Sequence, residues 1–296
     1  MEYTIKGKRN KGGKERMRRR NKVEVVFVSG ASSGLGRATA EYLAAQGFRT
    51  YAGARSFAQG ADAPKGCTPV ALDVRDDASV HEAVRYIVER EGHIDALVNC
   101  AAFLTFGSCE ETSADELSAV LSTNFLGMAR MVRAVLPHMR DRKFGRIVNF
   151  SSINGLLGIP FQSAYTASKH AIEGWSECLA EEVRRFGVRV TLIEPGDCRN
   201  GSRKYRTRAC ASERKDSPYA AWYRGAVTRV TRDEDGGMPP ERVAAAVAEV
   251  LGKKNPPARR LVARPDQRFA VYLHKVIGGY FFYRIMELYY APGKRR

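Results

Sequence analysis

"VEVVFVSGASSGLGRATAEYLAAQG" (residues 23–47) is the stretch that decides the fold. Its first part, "VEVVFVSG" (23–30), is a short apolar run that reads as a strand buried in a parallel sheet. Its last part, "LGRATAEYLAAQG" (35–47), has helical periodicity and stops at Gly47, a suitable C-terminal cap. Between them stand Gly30, Gly34 and Gly36 in the pattern GxxxGxG. Glycines there allow a tight turn, let the backbone approach a pyrophosphate and bring helix against sheet. The helix N-terminus adds free N–H groups and a positive dipole. A strand, a glycine turn and a helix in that order predict a dinucleotide site near the start of the domain.

Outward from this unit the pattern repeats. Strands are expected at 48–55, 68–74, 94–102, 145–152, 188–196 and near 260–263, with helices at 77–91, 113–140, 162–186 and 240–252. Ser113 and Glu116 form a capping-box pattern at the start of the long helix. Alternating strands and helices predict an α/β fold, a doubly wound Rossmann-type parallel sheet of about seven strands with helices on both faces. No internal repeat and no Pro- or Gly-rich linker divides the chain, so one domain is expected over residues 23–265. Within it, 197–238 is the least regular segment, rich in Arg, Tyr and Gly, and follows the sixth strand where it would cover a bound substrate. A long surface loop is the plainer reading of the same residues.

The chain has 296 residues, 44% of them apolar, and a net charge of +17. Residues 1–22 hold ten Lys/Arg against Glu2 and Glu15, so this extension contributes +8 and the remainder stays basic at +9. It lacks an apolar core like that of a secretory signal and is too polar to pack, so a disordered, solvated extension is expected. Attraction to nucleic acid or anionic lipid is the alternative, with nucleic acid the weaker expectation. The six cysteines show no CxxC spacing and the five histidines are dispersed, which predicts reduced thiols, a reducing compartment and no metal site. No uninterrupted apolar run approaches the length of a membrane span. A soluble, cytoplasmic protein is expected, with a possible surface affinity for membranes.

The end of the second strand bears on the cofactor. A carboxylate there would bind a ribose 2′-hydroxyl, but the sequence reads "AGARS", with Arg55 and no carboxylate before Asp62. A guanidinium suits a phosphate, so NADP(H) is expected over NAD(H), a solvated loop arginine being the plain alternative. Asp73, after the third strand, is placed to receive an adenine amino group, although a simple turn residue reads nearly as well.

"SAYTASKHAIEGW" (163–175) puts Tyr165 and Lys169 one helical turn apart, and Ser152 ends the fifth strand in "NFSSINGLLG". Asn124 sits in "STNFLG" inside a predicted helix, where Asn has poor propensity. Together with the glycine turn, Asn99 and Pro195-Gly196, these residues resemble the short-chain dehydrogenase/reductase family over about residues 23–263. The resemblance implies that Tyr165 is the general acid for ketone reduction or the base for alcohol oxidation. Lys169 and an oxidised nicotinamide would pull its pKa down. It implies further that Ser152 holds the substrate oxygen, that Lys169 binds the nicotinamide ribose, and that Asn124 holds a water in a proton relay. The cofactor would lie along Gly30, Ser32, Ser33, Gly34, Leu35, Gly36, Arg55, Asp73, Val74, Asn99, Ala101, Tyr165, Lys169, Pro195, Gly196, Cys198 and Asn200. Departures from the family pattern are Ser29 for the usual Thr, "NCAA" (99–102) for Asn-Asn-Ala-Gly, and Asn200 for a threonine.

"YAGAR", "EPGD" and a C-terminal extension look like the branch that contains hydroxysteroid and retinol dehydrogenases. Eight of the 28 aromatic residues fall between Phe269 and Tyr290. A packed helix, a lid over an apolar substrate and a membrane-surface helix with Lys294, Arg295 and Arg296 near headgroups all fit that tail. Gly278-Gly279 is expected to break it into two short helices. The leading expectation is interconversion of a carbonyl and a secondary alcohol on a bulky apolar substrate. A reductase of a small polar carbonyl and a non-catalytic NADP(H) sensor are the alternatives. The family resemblance implies a homodimer or homotetramer.

Overall fold

A computed structural model describes residues 22–199 and 206–290. The expectations for residues 1–21, Asn200 and Lys294–Arg296 fall outside the described residues.

Strand β1 (Val25–Ser29) is buried along its whole length. Val25, Val26, Phe27 and Val28 have no exposed surface, and burial of each such side chain contributes about 1.5–3 kcal/mol. It pairs in parallel with β2 (Arg49–Ala54) on one side and β4 (Ala96–Asn99) on the other. With β3 (Thr68–Ala71), β6 (Gly145–Phe150), β7 (Val188–Pro195) and β9 (Arg259–Val262) it forms a seven-stranded sheet in the order β3-β2-β1-β4-β6-β7-β9. Every pairing is parallel. The order reverses between β1 and β4, and such a switch point opens a crevice at the carboxyl ends of the strands. A two-stranded sheet of β5 (Thr105–Phe106) and β8 (Thr207–Arg208) stands apart.

Helix α1 (Gly34–Ala45) and helix α7 (Pro240–Gly252) cover one face, where Ala40 and Leu43 meet Val243, Val247 and Leu251. The other face is covered by α2 (Asp77–Glu91), α4 (Gly127–Arg142) and α5 (Ser163–Val183), through Val80, Ile87, Met131, Val135, Leu179 and Val183. Helix α3 (Ala114–Leu121) begins with the expected Ser113–Glu116 capping box. It runs into α4 through a π turn, Ser122–Leu126, that contains Asn124. The combined helix Ala114–Arg142 is, among the described residues, long and apolar enough to cross a membrane. Its place as a core helix, with 44% of its apolar window buried in the fold, accounts for that composition.

Two expectations are corrected. The segment 197–238 is not an irregular loop, because helix α6 (Ala220–Asp235) occupies its second half. Ala220, Tyr223, Ala226 and Val230 line its buried side at helical spacing, a periodicity obscured by the intervening arginines. The tail does not divide at Gly278-Gly279, since one helix, α8 (Pro265–Tyr290), runs through both glycines. Its anchors Val271, Phe282 and Tyr290 are buried on both sides of the pair. Their burial outweighs the roughly 1 kcal/mol that each glycine costs in a helix.

Candidate active site

The turn after β1 closes more tightly than any side chain would allow. Gly30 has φ +69°, and a Cβ there would come within 2.5 Å of the Ala101 backbone. At Gly36 a Cβ would lie 2.2 Å from the Gly30 carbonyl oxygen. Helix α1 therefore packs directly against the turn, and its N-cap residue, Ser33, makes no side-chain capping bond. The first-turn N–H groups of α1 are left to face the crevice, a donor set that fits a pyrophosphate.

A cavity of about 1050 Å³ runs from this turn across the sheet edge. Gly30, Ser32, Ser33, Gly34, Leu35, Gly36, Arg55, Asp73, Val74, Ala101, Pro195, Gly196 and Cys198 line it, as the sequence predicts for a dinucleotide site. Arg55 is exposed at its rim, at the start of the short turn that follows β2. The Asp73 carboxylate is engaged by Arg75, whose guanidinium donates to both oxygens, the shortest contact being 2.6 Å. Arg75 holds Asp73 below the usual carboxylate range. An adenine amino group would have to share that carboxylate.

Two predicted residues stand elsewhere. Asn99 is buried, and its amide donates to Asn149 on β6 at 2.9 Å, tying two strands together away from the cleft. Asn124 is also buried and off the cavity wall. Its Nδ2 donates to the Phe103 carbonyl and to Ser168 Oγ, both at 3.0 Å, and its Oδ1 accepts from Phe103 N–H. Ser168 in turn donates to the Tyr165 carbonyl at 2.7 Å, so the Asn124 side chain braces the turn that carries Tyr165. Asn200 lies outside the described residues.

Ser152, Tyr165 and Lys169 share the cavity wall. Ser152 follows β6, and Lys169 reaches back from α5 to donate from Nζ to the Phe150 carbonyl at 2.7 Å. This bond locks α5 to the strand end, with Lys169 Nζ 5.4 Å from the centre of the Tyr165 ring. Ser152 is fixed by Asn154, to whose Oδ1 it donates at 3.2 Å, and Asn154 donates onward to Gln162 and Thr166. Asn154 and Gln162 escaped the sequence reading, although Asn154 lies two residues beyond Ser152 in the same quoted motif.

Burial dominates the electrostatics of the site. It lowers Lys169 to about 8, against the opposing pull of Cys100 and Glu173. It raises the Tyr165 phenol above its ordinary value, while the Ser152 hydroxyl draws it down. The lowering expected of Tyr165 is therefore not supplied by the protein's own groups, because a desolvated phenolate is costly and Lys169 is engaged by Phe150. Cys100 is pushed up to about 12 by the same burial and is a neutral thiol.

The cavity is also lined by residues with no motif to announce them: Ile159, Val230 on α6, and Tyr290 at the end of α8. Phe161 packs edge-on against Trp222 and Tyr223 beside them, and Met286 joins the same cluster. Asp197, Arg206, Asp233 and Glu234 add a polar border. Burial, then the charges of Glu234 and Asp233, raise Asp197 to about 7.

This assembly pairs a crevice suited to a dinucleotide with a hydroxyl, a phenol and an amine at the sheet edge. The model of the short chain dehydrogenase family matches residues 24–210. A 3-ketodihydrosphingosine reductase from Bacteroides thetaiotaomicron is 36% identical over 81% of this chain and 87% of its own. Retinol dehydrogenase 8 from Bos taurus is 33% identical over 79% of this chain and 80% of its own. Among solved structures, a short-chain dehydrogenase from Streptomyces avermitilis superposes with a TM-score of 0.75 at 32% identity, covering 86% of this chain and 93% of that one. Other solved relatives are complexes with NADP or with NAD. The chain belongs to the short-chain dehydrogenase family, as an oxidoreductase of the branch that includes hydroxysteroid and retinol dehydrogenases.

Proposed function

We propose that this protein is an NADP(H)-dependent reductase of a bulky, apolar, lipid-like ketone. The observation that carries the reading is the cavity itself, lined both by Ser152, Tyr165 and Lys169 and by the apolar side chains of Ile159, Val230 and Tyr290. A long-chain ketone fits such a lining, and the similarity to a 3-ketodihydrosphingosine reductase points the same way.

Bound NADPH would supply a hydride to the carbonyl carbon. The chain's residues handle the oxygen. Ser152 would orient it and support the charge that develops there, and Tyr165 would donate its proton to it, leaving an alcohol. A phenol raised by burial keeps that proton at neutral pH until an acceptor oxygen is placed against it. Lys169 would hold the nicotinamide ribose and support the phenolate that remains after transfer. Ser33, Gly34 and Gly36 would cradle the pyrophosphate, and Arg55 would meet the 2′-phosphate.

Free cysteines at all six positions support a reducing, cytoplasmic setting. Leu117 and Leu126, exposed on the helical run that bears Asn124, support pairing of subunits into a homo-oligomer through that face.

The test is a substrate panel with NADPH and NADH, covering 3-ketodihydrosphingosine, a steroid ketone and a small polar ketone. Turnover of the lipid-like ketones, faster with NADPH, is the expected result. Turnover of the polar ketone alone would overturn the apolar assignment. Tight NADPH binding without turnover of any ketone would make the protein a sensor.

A further inference from the structure

Helix α8 has two faces of opposite fate. Its inner face supplies Val271 and Phe282 to a cluster with Ile153 and Leu157, and its last residue, Tyr290, is buried on the cavity wall. Its outer face carries Phe269, Tyr272, Val276, Tyr280 and Tyr283, which are 62–75% exposed. Their spacing of three, four, four and three residues keeps them in one stripe along four turns of helix. A continuous exposed patch of this kind marks a surface that docks on something.

Charge and chemistry identify what that is. Arg268 and Lys275 lie along one border of the stripe and Arg284 along the other. The helix's two carboxylates are spoken for, Asp266 by Arg264 and Glu287 by Arg284. The sequence beyond Tyr290 adds Lys294, Arg295 and Arg296 within six residues, and the whole chain carries +17. A second copy docked on this stripe would set these border cations against their own kind, whereas an anionic lipid surface attracts them. Three of the five stripe residues are tyrosines, whose apolar rings and polar tips suit the boundary between headgroups and acyl chains. With Arg268, Lys275 and Arg284 set along its length, α8 is built to lie on a bilayer and not to cross it.

We propose that the outer stripe of α8 seats on an anionic phospholipid surface, so that an apolar substrate passes from the lipid into the cleft beside Tyr290. The entry route rests on the apolar-ketone reading above, and the docking does not. One end of the helix that touches lipid thus forms part of the wall that the substrate must pass.

Co-sedimentation of the full chain with phosphatidylcholine vesicles, with and without phosphatidylglycerol, tests the docking. The comparison is the double variant Tyr272→Glu, Tyr280→Glu, whose side chains face away from the core, with its unfolding midpoint checked against the parent. The parent is expected to sediment with the phosphatidylglycerol vesicles, and the variant to bind at least about tenfold more weakly, since two aromatic anchors become charges on the lipid side. The variant should reduce a short, water-soluble ketone as fast as the parent, and a long-chain ketone presented in vesicles more slowly. Equal sedimentation of variant and parent would assign lipid binding to the basic termini and overturn the proposal. So would absence of sedimentation, or a variant whose only change is a smaller oligomer. Vesicle binding lost in the variant, with no ketone reduced by either protein, would leave the docking standing and remove the reductase reading.

Discussion

Tyr165 is held where a phenol gives up its proton only to an acceptor placed against it. Removing the hydroxyl with Tyr165→Phe should lower kcat for ketone reduction by about 10²–10⁴-fold, the usual span for a general acid, while NADPH binding followed by fluorescence stays within a few-fold of the parent. Lys169 sets a separate pH dependence. Burial lowers it from an ordinary 10.5 to about 8, so it is charged below that pH and neutral above it. The rate of reduction should therefore fall as pH rises through about 8, and in Lys169→Arg the residual rate should stay flat across that window because the guanidinium remains charged. Residue types at set spacings carried this much of the site in the sequence, since Tyr165 and Lys169 one turn apart must share a helix face. Direction is less legible. Successive strand residues point to opposite faces, so Asn99 at the end of β4 turns to Asn149 instead of the cleft. Asn124 is committed by a π turn that no propensity announces.

The strand and helix alternation was legible because each strand is a short apolar run and each covering helix a 3.6-residue repeat. Helices α6 and α8 were harder to read, because arginines interrupt one and glycines the other, and their order comes from contacts with distant parts of the chain. Gln267, in the first turns of α8, shows such a contact. Its Nε2 donates to Asp197 Oδ2 at 2.6 Å, and its Oε1 accepts from the Asp197 N–H at 3.3 Å. The cost of this joint depends on pH. Asp197 is raised from 3.8 to about 7, chiefly by burial, so the folded state holds its proton more tightly than the unfolded chain does. Stability is then lost as pH rises from about 4 to about 7, over which the unfolded chain ionises freely and the folded one resists. Asp197→Asn keeps an oxygen to accept from Gln267 and removes the charge. Its unfolding midpoint should exceed that of the parent by a margin that widens from pH 5 to pH 8. A constant margin would place the origin of the shift in another group.

At the scale of the whole molecule, the sheet is two halves joined at β1 and β4, with the cavity lying across the join. One side supplies Ser33, Arg55 and Asp73 to its wall, and the other supplies Ser152, Tyr165 and Pro195. A dinucleotide spanning that line binds only when both halves are in place, so its binding free energy adds to the stability of the fold. At a ligand concentration about 100 times Kd this linkage amounts to about 2.7 kcal/mol, or several degrees in Tm for a domain of this size. The size of the shift then reports cofactor choice without any turnover. NADPH should raise Tm more than NADH at equal concentration if the Arg55 guanidinium at the rim takes the 2′-phosphate that NADH lacks. Arg55→Asp should reverse that order, since a carboxylate repels the phosphate and accepts a bond from the free ribose hydroxyl. If both nucleotides shifted the parent and the variant equally, selection would rest with other residues of the cleft, and Arg55 would be a solvated side chain at its edge.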